Sequence, residues 1–121
     1  MIVVGAGPAG NNAALGLADQ GYSVTVIDWR TDIGDKICTG IIGQECARRF
    51  PVDSNLVYRE ACSAEIVGPS DSKVRFDTPA PKAKIIDRVA YVASFAQRAQ
   101  AAGARYLLGQ RVLRVNRDRY G

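Results

Sequence analysis

Met1-Ile2-Val3-Val4-Gly5-Ala6-Gly7-Pro8-Ala9-Gly10, followed by Tyr-Ser-Val-Thr-Val-Ile-Asp at residues 22–28, decides the fold. Residues 1–4 are a short apolar run rich in β-branched side chains, the pattern of a strand buried in a parallel sheet. Pro8 suits the first turn of a helix, where its missing N–H is not needed. The spacing predicts a helix over 8–20 with Ala9, Ala13 and Leu17 on one face, closed by Gly21. Residues 22–28 then read as a second strand. Strand, tight turn, helix and strand within 28 residues make a βαβ unit with a right-handed crossover.

The turn fits the pattern G-x-G-x-x-G, and each glycine has its own steric task. Gly5 permits the tight exit from the strand. Gly7 lets a pyrophosphate approach the backbone, and Gly10 lets the helix pack closely on the sheet. The free N–H groups and positive dipole end of the helix then face the anion. Asp28 closes the second strand 18 residues after Gly10, close to the spacing of a carboxylate that accepts ribose hydroxyls. That carboxylate would repel a 2′-phosphate. The plainer alternative is an ordinary glycine turn with Asp28 as a solvated strand end. The fold class expected is α/β, a Rossmann-like FAD/NAD(P)-binding domain with a parallel sheet.

Beyond Asp28 the alternation of strand and helix breaks. Residues 29–43, with Gly34, Gly40 and Gly43, read as an ordered loop, and 44–50 as a short helix ended before Pro51. Residues 63–67 and 73–77 read as an antiparallel hairpin around Gly68-Pro69-Ser70-Asp71-Ser72. After a linker at 78–81, residues 83–86 are extended. Asp87 caps a helix over 87–102, whose stripe Val92, Phe95, Ala96, Ala99 and Ala102 is core, and Gly103 ends it. Strands are expected at 105–108 and 111–116, with a turn at the end of the chain. The chain thus has three parts: the first βαβ unit (1–28), a loop and hairpin insert (29–82), and a helix with strands (83–121).

Composition narrows the function classes. With 121 residues, 47% hydrophobic and 23% charged, the chain suits one small globular domain. No apolar run approaches the ~20 residues needed to span a bilayer, and the start carries no basic region of a signal peptide. Residues 1–60 carry net charge −2 and residues 61–121 net +6. The basic half suits phosphates, an anionic surface or plain solvation. It lacks the interleaved aromatics of a nucleic-acid binder, so no nucleic acid is expected. Three cysteines, Cys38, Cys46 and Cys62, without close pairs or any histidine, argue against a disulfide framework or a metal site and for a reducing, cytosolic setting.

A nicotinamide domain would continue promptly to its third parallel strand, whereas this chain detours through a hairpin, as FAD-binding variants do. Residues 5–10, Ala14, Leu17-Ala18, Gly21 and Asp28-Trp29-Arg30 resemble the opening of the p-hydroxybenzoate-hydroxylase-like flavoproteins. Asp87-Arg88-Val89-Ala90-Tyr91 with Phe95, Ala99 and Gly103 resembles a later segment of that group. Within it, Gly34-Asp35-Lys36-Ile37-Cys38-Thr39-Gly40 resembles the loop of the geranylgeranyl reductase family, with Thr39 where glycine or alanine is more familiar.

The resemblance implies an FAD-dependent oxidoreductase that saturates C=C bonds of prenyl lipid chains, with peripheral membrane contact and an unspecified electron donor. It implies an N-terminal part of a longer FAD-binding protein, with a substrate domain elsewhere. It also implies cofactor-binding residues: Gly5, Gly7, Pro8, Ala9 and Gly10 at the pyrophosphate, and Asp28, Trp29 and Arg30 around the adenosine. Val112 would pair with the adenine edge through its backbone. Cys38, Thr39 and Gly40 would lie beside the isoalloxazine ring, and Arg88 would contact FAD. Read by themselves, Cys38 is equally a small buried apolar residue, and Arg30 a surface one. Cys46 and Cys62 read as structural, and Arg111, Arg114, Arg117 and Arg119 as solvent-facing strand residues. No general acid, base or nucleophile is identifiable, which suits a cofactor that carries the chemistry. A flavin monooxygenase and a non-catalytic nucleotide-binding module are the competing readings.

Overall fold

The computed structural model describes residues 1–116; the expected final turn, with Arg117 and Arg119, lies outside them. The chain divides into two compact units, Met1–Lys36 with Val92–Gly121, and Ile37–Tyr91.

In the first unit, β1 (Ile2–Val4), α1 (Pro8–Asp19) and β2 (Thr25–Ile27) form the expected βαβ unit. The helix α3 (Arg88–Ala101), whose later turns belong to this unit, leads to β8 (Arg105–Leu107). The sheet is parallel, in the order β1-β2-β8, with Val3 opposite Val26 and Val26 opposite Tyr106. Both helices end in the same manner. The Gly21 and Tyr22 N–H groups donate to the Ala18 and Leu17 carbonyls, and the Gly103 and Ala104 N–H groups to those of Gln100 and Ala99.

The core is built from small side chains: Ala14 and Ala18 of α1, Ala99 of α3, Val24, Val26 and Ala104. Alanines on the helices let their backbones approach the sheet closely. The buried face of α1 is Asn11, Ala14 and Ala18. This corrects the expected face, because Ala9 and Ala13 are exposed and Leu17 only half-buried. The helix is rotated so that the shortest side chains meet the strands. The expectation that β1 is buried also fails for two of its three residues, with Ile2 71% and Val4 60% exposed. Pleat alternation turns them to the face opposite Val3, away from the helix-covered side.

In the second unit, β7 (Ala83–Ile86) is the central strand of an antiparallel sheet in the order β3-β7-β4. Strands β3 (Ile41–Gly43) and β4 (Val57–Ala61) flank it, joined by α2 (Gln44–Arg49) and a single 3₁₀ turn at Ser54–Leu56. The sequence pattern suggests loop at 41–43 and no strand at 57–61; their strand character comes from pairing with β7. Strands β5 (Ser63–Val67) and β6 (Lys73–Asp77) form the hairpin at the expected residues, with Glu65 opposite Arg75. Asp87 caps α3 as expected, its Oδ1 accepting the Ala90 N–H at 3.0 Å. Residues 111–116 correct another expectation: they form no strand. Leu113 and Val115 are 87% and 83% exposed, since no described strand lies beside them to accept a ladder. Among the described residues no helix is long and apolar enough to cross a membrane.

Candidate functional site: the glycine turn and the carboxyl ends of the strands

The turn after β1 is held at every peptide. The Gly5 N–H donates to the Ile27 carbonyl at 2.8 Å, continuing the ladder with β2. The Ala6 N–H donates to Asp28 Oδ2 at 2.7 Å. Gly7 is the N-cap of α1, and its carbonyl accepts the Asn11 N–H at 2.9 Å. No side chain caps this helix, and its first turn holds no acidic residue. The Ala9 and Gly10 N–H groups, which have no acceptor within the helix, are therefore available to an outside anion.

Gly10 is required by packing. A Cβ there would lie 1.9 Å from the Gly5 carbonyl oxygen. A Cβ on Gly7 meets nothing within 4 Å, so the space over the turn is open.

Asp28 is only 9% exposed. Its Oδ1 accepts the Arg30 N–H at 2.8 Å. Its main chain is clamped by β8 and the loop beyond that strand: its N–H donates to the Leu107 carbonyl, and its carbonyl accepts from Gln110. Each carboxylate oxygen thus has one backbone donor and retains a lone pair. Trp29, 55% exposed, carries the Arg30 guanidinium 4.3 Å from its ring centre and that of Arg111 at 5.8 Å. Beside them lies a hollow of about 130 Å³ bounded by Gly5, Asp28, Trp29, Gln110, Arg111 and Val112. It opens at the carboxyl ends of β1 and β2, where ligands of open α/β sheets bind.

The first unit therefore holds residues 5–10, Asp28, Trp29, Arg30 and Val112, with Gly5, Asp28, Trp29 and Val112 around one hollow. It adds Gln110 and Arg111, which the pattern does not single out. Arg111, read as a solvent-facing strand residue, is exposed as expected but lies in a loop and not a strand, and it also lines the hollow because the chain after β8 runs back across Asp28. A buried polar residue also escapes sequence reasoning. Asn11 is fully buried, donating to the Ala6 carbonyl at 3.0 Å and the Val92 carbonyl at 3.4 Å, and accepting the Tyr106 hydroxyl at 3.0 Å. The available signal was a carboxamide among alanines.

The second unit holds Cys38, Thr39, Gly40 and Arg88. Gly40 is buried with φ +70°, and a Cβ on it would meet the Ile86 carbonyl oxygen at 2.6 Å. Its own carbonyl accepts the Ile86 N–H at 3.0 Å. This glycine is thus demanded by the end of β7. Cys38 is exposed, against the reading of a buried apolar residue, and so are Cys46 and Cys62. The Gly40 N–H holds the Cys38 thiol below its ordinary pKa; desolvation opposes this, and Arg88 and then Thr39 add smaller lowering effects.

The sequence pattern of the pyridine nucleotide-disulphide oxidoreductase family matches residues 1–120. The chain belongs to that family. As a member of it, the chain is an FAD-binding domain, in agreement with the cofactor expected from the sequence. This family member is 34% identical over 116 residues to a geranylgeranyl diphosphate reductase of Rhodobacter capsulatus, across 96% of this chain and 29% of that protein. It is 28% identical over 109 residues to a digeranylgeranylglycerophospholipid reductase of Methanosarcina mazei, across 86% of this chain and 27% of the relative. In fold it matches a geranylgeranyl bacteriochlorophyll reductase-like protein of Thermoplasma acidophilum. The TM-score is 0.82 at 24% identity, over 98% of this chain and 32% of that one. The chain thus spans about three-tenths of the length of these relatives.

Proposed function

We propose that the protein is an FAD-dependent oxidoreductase that saturates carbon–carbon double bonds in prenyl chains of lipids, which it meets at a membrane surface. The observation that carries this reading is the likeness, across nearly the whole chain, to a reductase of a geranylgeranyl compound. The geometry of the first unit supports the cofactor half of it. An uncapped helix start under an open Gly7 suits a pyrophosphate, and a buried carboxylate with spare lone pairs suits vicinal hydroxyls.

When bound, FAD supplies the hydride chemistry. In our reading the chain's own residues bind and orient it. Gly5, Gly7, Pro8, Ala9 and Gly10 form the pyrophosphate seat, with the Ala9 and Gly10 N–H groups as donors. Asp28 accepts the ribose hydroxyls. Trp29 and Arg30 flank the adenine, and the backbone of Val112 pairs with its edge. Cys38, Thr39 and Gly40 shape the surroundings of the isoalloxazine ring, and Arg88 contributes positive charge toward the cofactor.

The test is to purify the protein, record its flavin spectrum, reduce it anaerobically with dithionite and supply geranylgeranyl diphosphate or a geranylgeranyl lipid. The expected product gains two hydrogens per double bond by mass spectrometry. A yellow protein that leaves every prenyl chain unsaturated would refute the substrate class and keep the cofactor. A protein that binds no FAD would refute both.

A further inference from the structure

Among the described residues, the most deeply buried polar side chain of the first unit is not a group that the proposed FAD contacts use. Asn11 sits one position past the last glycine of the turn, with 0% exposure. Its amide orientation follows from its partners. Backbone carbonyls can only accept, so the nitrogen faces Ala6 and Val92, and the oxygen receives the Tyr106 hydroxyl. Three of its four bonding positions are used.

The bond to Ala6 has a consequence on the far side of one peptide plane. In a trans peptide, the carbonyl and the next N–H point in opposite directions. Asn11 draws the Ala6 carbonyl into the interior, which turns the Gly7 N–H outward to the exposed side of the turn. The neighbouring peptides are fixed by other means: Asp28 takes the Ala6 N–H, and the first helical bond takes the Gly7 carbonyl. The Ala6–Gly7 peptide has Asn11 as its anchor. Both flanking residues lack bulk, so without the anchor this peptide can rotate and carry its N–H away from the open side.

We propose that Asn11 is a positioning residue for the anion seat. With Tyr106 as its brace, it locks the Ala6–Gly7 peptide so that the Gly7 N–H joins those of Ala9 and Gly10 in facing the cofactor's pyrophosphate. Tyr106 lies on β8 and Val92 on α3, so the orientation of one peptide in the 5–10 turn is set by chain more than 80 residues away. This inference rests on reading the turn as the pyrophosphate seat.

The experiment compares ADP with adenosine on the purified protein by calorimetry, since the two differ only in the group the turn would hold. Wild-type protein should prefer ADP. Asn11→Ala should lose about tenfold in ADP affinity, the cost of one misdirected donor to a charged group, and less than about twofold for adenosine. Tyr106→Phe, which removes only the brace, should shift the same ratio by about threefold. It decides the matter if Asn11→Ala fails to fold. Equal losses for both ligands, or none in either variant, would overturn the role of Asn11. A wild-type protein without preference for ADP would instead overturn the pyrophosphate seat itself.

Discussion

Replacing Gly10 by alanine tests the packing of the turn most directly. The new Cβ would stand 1.9 Å from the Gly5 carbonyl oxygen, 3.1 Å from its carbon and 3.4 Å from Val3 Cγ1. Side-chain carbons do not come closer than 3.0 Å, so helix and turn must separate by about 1 Å. Neither partner is a flexible side chain. Gly5 is tied to Ile27 at 2.8 Å and the adjacent Ala6 to Asp28 at 2.7 Å, so the movement is resisted by two hydrogen bonds. Overpacking of this kind costs about 1–3 kcal/mol. Weakening one of the bonds costs about 1 kcal/mol more, and alanine's better helix propensity returns about 1 kcal/mol. The net expectation is a loss of about 1–3 kcal/mol. Gly16 of the same helix provides the control, because a Cβ there meets nothing within 4 Å. Gly16→Ala should gain up to about 1 kcal/mol from propensity alone. Urea unfolding of both variants, with unchanged slopes, reads the difference. A Gly10→Ala variant as stable as Gly16→Ala would refute a packing role for Gly10 at the helix–turn contact.

Three other residues give expectations of their own. Asp28→Ala should weaken FAD binding by about 1–3 kcal/mol in a fluorescence titration, because it removes a charged acceptor and frees the Ala6 N–H; unchanged affinity would remove Asp28 from the ribose site. Cys38 should be alkylated by iodoacetamide with a pH midpoint below that of an ordinary cysteine, and Arg88→Gln should move this midpoint upward. An unmoved midpoint would deny the contribution of Arg88. Asp87 has its carboxyl held below the usual range, chiefly by the Ala90 N–H and then by the Tyr58 hydroxyl. Its folded value is depressed, so its contribution is full above the unfolded carboxylate range near about pH 4 and is lost as pH falls through the folded value. Asp87→Asn should therefore lower the melting temperature at neutral pH, with the gap to wild type closing in acid. A gap independent of pH would point to the cap geometry instead of the charge.

The local chemistry of residues 1–28 was enough to define the βαβ unit, the glycine turn and the place of Asp28. Each signal there is short-range: a proline at a helix start, a glycine at its end, a carboxylate at a strand end. The 63–77 hairpin and the Asp87 cap were legible for the same reason. The face of α1 was not, because alanines and an asparagine carry too little contrast to mark a buried stripe, and what turned the helix was the room available beneath it. Strands β3 and β4 were invisible because Ile41–Gly43 and Val57–Ala61 are extended only through pairing with β7, a strand distant in sequence. Residues 111–116 carry Val112, Leu113 and Val115 and read as a strand yet form none, since extended chain without a neighbour leaves the hydrogen bonds unmade. Arg111 entered the hollow, and Asn11 met Ala6, Val92 and Tyr106, only once the chain had folded. The sequence alone determined which residue types could receive a dinucleotide; which peptide faces it, and what holds that peptide, depended on contacts between distant segments that no local pattern encodes.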